Sequence, residues 1–101
     1  MSDNDRYEKV LARFDQLAEE LGKPENMRDQ RKYREIAREH SDLGKAVVAI
    51  REYLELEGRA RDDEQVVDAG EDAELVELAD AELEEIRPRM AELEEEIKHL
   101  L

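Results

Sequence analysis

The sequence contains no cysteine and no tryptophan, one phenylalanine, two prolines and four scattered glycines. Without cysteine there is no disulfide framework and no thiolate metal site, a composition that suits a reducing compartment and sets the cytoplasm as the expected location. Glycines that occur singly form no phosphate-cradling loop, and neither an HExxH pair nor an EF-hand loop occurs. No apolar run approaches the ~18 residues that would span a membrane. The first ten residues, MSDNDRYEKV, lack the basic-then-apolar layout of a signal peptide. With aromatics at 4%, a core must be built from Leu, Ile, Val, Ala and Tyr. A chain of 101 residues, one domain at most, then favours long helices sharing a seam over a compact globule.

Charge, by contrast, is abundant: 46% of the residues are Asp, Glu, Lys or Arg, and the net charge is −14. It is unevenly placed. Residues 1–51 carry 11 basic and 11 acidic side chains, whereas residues 52–101 carry 5 basic and 19 acidic ones. The C-terminal half therefore repels phosphate and is a poor nucleic-acid partner. Its carboxylates are expected to form a solvated helix surface.

Apolar spacing predicts three helices, over about 3–21, 29–60 and 73–101. The first holds Tyr7, Val10, Leu11, Phe14, Leu17 and Leu21, with Ser2 or Asp3 as N-cap, Gly22 as stop and Pro24 barring continuation. The second is capped by Asn26 or Asp29 and carries the seam Tyr33, Ile36, His40, Leu43, Val47, Ile50, Leu54, an alternation of three and four that defines heptads. That rhythm fails at Glu57, and Gly58 follows. Residues 58–72, GRARDDEQVVDAGED, are expected to form an irregular connection with one helical turn around Val66 and Val67. The third seam is Val76, Ala79, Leu83, Ile86, Met90, Leu93, Ile97, Leu100. Pro88 interrupts its hydrogen bonding but lies off the seam, which predicts a kink and not a break.

The expected fold is all-α: an antiparallel hairpin of two long helices, about 29–60 and 73–101, joined by the irregular connection between them, with a shorter N-terminal helix completing a coiled-coil-like three-helix bundle. The third helix runs to Leu101 with no Gly, Asn or Pro after its last apolar residue. This ending leads us to expect a single N-terminal helical domain, 1–101, cut from a longer multidomain protein.

Nothing in the sequence forms a catalytic constellation, and no cofactor or metal is implied. His40 lies on the second seam and is expected to pack there; His99 has no ligand-spaced companions. The cluster Asp62, Asp63, Glu64 could place carboxylates at a hairpin tip, where they would suit magnesium. One basic feature is organised: Arg31, Arg38 and Lys45 are spaced by seven on the face opposite the seam, flanked by Arg28 and Arg34. Such a stripe can meet a phosphate backbone, although no aromatic side chain interleaves it for base stacking.

Two stretches, KYREIAREHSDLGKAVVAIREY (32–53) and LADAELEEIRPRMAELEEEIKHLL (78–101), resemble the N-terminal domain of the bacterial peptide chain release factor 1 family. The matching positions are Tyr33, Arg34, Ala37–His40, Leu43, Ala81–Glu85 and Leu100–Leu101, and the likeness covers about residue 5 to the end. The chain departs from the family at 58–72, where a compact acidic turn is more usual. The resemblance implies a protruding helical module that docks near the base of the large-subunit stalk of the ribosome and acts together with a recycling GTPase. It also implies a third helix that leads into the next domain. No Gly-Gly pair is present, so the GGQ loop with which the family promotes peptidyl-tRNA hydrolysis is not in this sequence, and no catalytic residue carries over. The chain itself is therefore expected not to be an enzyme. Arg28, Arg31, Arg34, Arg38 and Lys45 are the expected ribosome-facing patch, on charge alone. Two other readings stand beside this one. The first is a free-standing coiled-coil adaptor completed by a second copy of itself. The second is an acidic-tipped hairpin that delivers a metal to a polymerase for transcript cleavage.

Overall fold

A computed structural model describes residues 3–101, which form four helices and no strand: α1 (Asp3–Leu21), α2 (Pro24–Met27), α3 (Gln30–Ala69) and α4 (Ala73–Leu100). The chain is all-α. It divides into two compact units, one reaching Val48 and including Leu100–Leu101, the other Ala49–His99.

In the first unit, α1 follows its apolar rhythm. Tyr7 and Leu17 are buried, and Val10, Leu11, Phe14 and Leu21 are half-buried. Of the two N-cap candidates, Asp3 already lies inside the helix and Ser2 lies outside the described residues. The helix ends by tightening: Gly22 N–H donates to the Glu19 carbonyl at 3.0 Å and Lys23 N–H to the Glu20 carbonyl at 3.2 Å, both three residues back. The Asn26 side chain completes the stop. Its Nδ2 donates to the Glu20 carbonyl at 2.8 Å and to Glu20 Oε2 at 2.9 Å, which lets an amide be buried at 1% exposure.

Pro24 opens the single turn of α2, where its missing N–H costs nothing. Asp29 then starts α3. Its Oδ1 accepts the Lys32 N–H at 3.2 Å and its carbonyl the Tyr33 N–H at 2.9 Å. Of the two residues expected to cap this helix, Asp29 does so, and Asn26 turns back to α1.

The length of α3 corrects the sequence reading. The helix runs 40 residues to Ala69 instead of ending near 60. Residues 58–69 are helical, and the connection is reduced to residues 70–72. The expected seam ended because its next residue was Glu57. In the structure Leu54 is only half-buried, and Tyr53, one position earlier, takes the buried place at 7% exposure. Leu56, Ala60 and Val67 carry the apolar face onward against Leu83, Ile86 and Met90. A tyrosine and an alanine thus continue a face that aliphatic counting lost. Gly58 is tolerated inside the helix because tertiary packing outweighs its weak propensity. A second correction concerns the start of the seam: Tyr33 is 37% exposed, while Ile36, His40 and Leu43 are half-buried and Val47 and Ile50 buried.

The turn between α3 and α4 is short because its residues are suited to it. Gly70 adopts φ 59°, which a side chain would resist. Asp72 caps α4 with Oδ1, accepting the N–H groups of Glu74 at 2.9 Å and Leu75 at 3.3 Å. The α4 seam is as expected from Val76 to Ile97, with Ala79, Leu83, Ile86, Leu93 and Ile97 buried and Val76 and Met90 half-buried, but Leu100, its expected last member, is exposed. The helix passes through Pro88 without a break. Within the second unit, Glu52 pairs with Arg89, Tyr53 with Glu94, Arg59 with Glu82 and Glu64 with Arg87. Within this unit Glu52 and Tyr53 meet the later α4 residues Arg89 and Glu94, while Arg59, further along α3, meets the earlier Glu82, so the hairpin is antiparallel.

Candidate functional site

Five cations gather at the start of α3. Arg28 occupies the residue that ends α2, and Arg31, Arg34, Arg38 and Lys45 follow on α3, all five exposed. At ~100° per residue the four on α3 fall within an arc of roughly 60°. The half-buried Ile36, His40 and Leu43 lie on the opposite side. The seven-residue spacing lines up a basic ridge about 21 Å long at ~1.5 Å per residue.

The ridge is largely free to bind. Arg31 Nε reaches Glu35 Oε1 at 3.4 Å, in a pair exposed on both sides and correspondingly weak. Among the described residues, Arg28, Arg34, Arg38 and Lys45 have no ion-pair partner.

A clasp between α1 and α3 holds the helix that bears this ridge. Arg13 donates through Nε and Nη2 to both carboxylate oxygens of Glu39, at 2.6 and 2.7 Å. At the next residue on each helix, Phe14 stacks on His40 with ring centroids 4.1 Å apart and planes 16° apart. The expectation that His40 packs is met, with an aromatic face as its neighbour. The Arg13 hydrogen bonds hold the Glu39 carboxyl below the usual carboxylate value. The bidentate fork fixes α1 against α3 in register.

The acidic cluster is placed differently from expectation. Asp62, Asp63 and Glu64 lie inside α3, some turns before the hairpin tip, and they diverge around the helix. Asp62 faces solvent, Glu64 pairs with Arg87 at 3.4 Å, and Asp63 turns towards α4. Burial pushes the Asp63 carboxyl up, and the neighbouring Glu82 carboxylate pushes in the same direction. Glu82 is itself held low, chiefly by Arg59. Three carboxylates on successive helical residues cannot converge on one ion, and no group of acids or histidines among the described residues could hold a metal. The cluster therefore does not form the tip of the hairpin.

Two features escaped the sequence reading. The first is the ladder of charge pairs on the hairpin, in which Arg89 holds both oxygens of Glu52 while Arg59 and Arg87 reach Glu82 and Glu64. It was hidden because cross-helix register depends on where α3 ends. The second is the exposure of Leu75 and Leu78 at 53% and 67%, beside an otherwise buried seam. Each sits one residue before a seam position, Val76 and Ala79, and that offset was the available signal. No helix of the described residues is long and apolar enough to cross a membrane.

The family model of the PCRF domain matches residues 10–101. Peptide chain release factor 1 of Maridesulfovibrio salexigens is 36% identical over 96 residues, covering 95% of this chain and 27% of that protein. The protein of the same name from Flavobacterium johnsoniae is 33% identical over 97 residues, and that from Clostridioides difficile 36% over 88. The chain spans 25–27% of the length of these curated relatives. No solved structure matches it significantly. With the matched segment reaching from the middle of α1 through the whole of α4, the chain belongs to the PCRF domain family.

Proposed function

We propose that this chain is the N-terminal helical module of a translation release factor and that it serves as a docking element on the ribosome, not as the hydrolytic part. The match to release factor 1 proteins over 95% of the chain supports this reading. So does the lack of any Gly-Gly pair that could form a GGQ loop. Docking uses the ridge of Arg28, Arg31, Arg34, Arg38 and Lys45, whose exposed cations suit ribosomal RNA phosphates near the base of the large-subunit stalk. Placed there, the module works alongside the GTPase that recycles the factor, in the cytoplasm.

The observation that carries the assignment of the surface is a ridge of exposed cations with a single weak internal partner. Co-sedimentation with large ribosomal subunits tests it. Replacing Arg31, Arg38 and Lys45 with Glu should weaken binding by about tenfold or more, and it should flatten the dependence of log K on log salt by roughly three phosphate contacts. Unchanged binding by the triple variant, with helicity intact, would remove the ridge from the interface.

A further inference from the structure

The second unit carries a surface of opposite character. Residues 62–86 hold 12 Asp and Glu and no Lys, Arg or His. Within this stretch Leu75 and Leu78 stand 53% and 67% exposed on the first turns of α4. Val66 and Ala69, from the last turn of α3, line a groove with Leu75 whose edges are Asp62, Glu71 and Asp72. One turn further along α4, Leu78 and Ala81 sit between Glu74 and Glu77. The α4 seam lies beside this strip and is already buried, so these leucines are not spare core residues. Aliphatic side chains this exposed, rimmed by one sign of charge, mark an interaction surface.

We propose that the Leu75–Leu78 strip at the α3–α4 turn docks a basic amphipathic helix of a partner protein, with an aliphatic ridge in the groove and Lys or Arg side chains against the carboxylate rim. Charge complementarity selects this occupant. A phosphate backbone would meet the rim carboxylates of Asp62, Glu71, Asp72, Glu74 and Glu77. A second copy of the chain presenting the same strip, as a two-fold interface requires, would bring equal charges together. A helix supplies both demands at once, because residues at i, i+3 and i+4 fill the groove while flanking positions reach the rim. The strip shares no residue with the basic ridge, and the inference holds whether or not that ridge meets RNA.

The test titrates the 101-residue chain, isotopically labelled, with a synthetic helical peptide of about 18 residues carrying leucines on one face and lysines and arginines on both flanks. The expected result is backbone amide shifts confined to residues around Val66, Ala69, Leu75 and Leu78. Binding should weaken about tenfold or more in the double variant Leu75→Ser, Leu78→Ser. The two side chains are exposed, so the variant keeps its helicity, and circular dichroism confirms that before titration. A peptide with serines in place of the leucines but the same charge should also lose about tenfold. The proposal is overturned by shifts spread over all acidic surfaces, by equal binding of the serine peptide or of the double variant, by single-stranded RNA shifting the same amides, or by concentration-dependent self-association through the strip.

Discussion

Arg89 and Glu52 face each other across the hairpin through two hydrogen bonds, Nε to Oε2 at 2.7 Å and Nη2 to Oε1 at 2.9 Å. The pair sits beside Pro88, and its fork geometry supplies a register for α4 on α3 that an aliphatic seam lacks, since one leucine can replace another along it. Arg89 also reaches Glu92 at 3.2 Å, and the two carboxylates raise its pKa above the ordinary value for arginine.

The pair sets a pH dependence of known sign. The Glu52 carboxyl is held below its ordinary 4.5, chiefly by the Arg89 hydrogen bonds. A group whose folded pKa is depressed stabilises above its unfolded pKa and loses that contribution as the pH falls through the folded value. Glu52→Gln should therefore lower Tm at pH 7, and the gap to the unmodified protein should close as the pH falls below 4.5. Thermal melts across this window, at low and high salt, check it. High salt should narrow the gap, because both side chains are about two-fifths exposed.

Asp63 has the opposite sign. Burial and the Glu82 carboxylate raise its folded pKa above the ordinary 3.8, so its ionised form costs stability at neutral pH and the cost is relieved on acidification. Its Oδ2 is shielded from solvent and has no hydrogen-bond partner among the described residues. Asp63→Asn keeps the shape, removes the charge and offers a donor towards Glu82. It should stabilise at pH 7 and have no effect once both states are protonated. Urea unfolding at neutral and at acidic pH measures this.

Leu93 and Leu78 separate core from surface on one helix. Leu93 is 1% exposed, and Leu93→Ala should cost about 2–5 kcal/mol through lost burial and the cavity left behind. Leu78→Ala, by contrast, should stay within ~0.5 kcal/mol. Chemical denaturation of the two variants is sufficient, and equal losses would mean that Leu78 is covered in the folded chain.

The glycines make a matched pair. Gly70 holds φ 59°, so Gly70→Ala forces a side chain into the left-handed region and should destabilise by about 1–2 kcal/mol. Gly58 lies within α3, where an added methyl group would meet nothing within 4 Å, so Gly58→Ala should stabilise by roughly 0.5–1 kcal/mol. Opposite shifts in the urea midpoint are the expected outcome. A gain at Gly70 would place the turn elsewhere.

The helical class, the stop at Gly22, the start at Asp29, the α4 seam from Val76 to Ile97 and the basic ridge could all be read from the residues alone. Each follows from a local rule: a period of 3.6 residues, a side-chain cap, or a spacing of seven on one helix face. Resemblance to release factors was legible in the same stretches, and the PCRF family match covers them. The end of α3, and the work of its last turns, needed the folded chain. Gly58 and the run of acids around Asp62 carry weak or solvent-loving local preferences, and they are helical because Leu56, Ala60 and Val67 find Leu83, Ile86 and Met90 on the returning helix. The same packing spread Asp62, Asp63 and Glu64 around one helix, paired Arg89 with Glu52, and left Leu75 and Leu78 outside the seam. Burial is a property of two surfaces meeting, and a single strand of letters records only one of them.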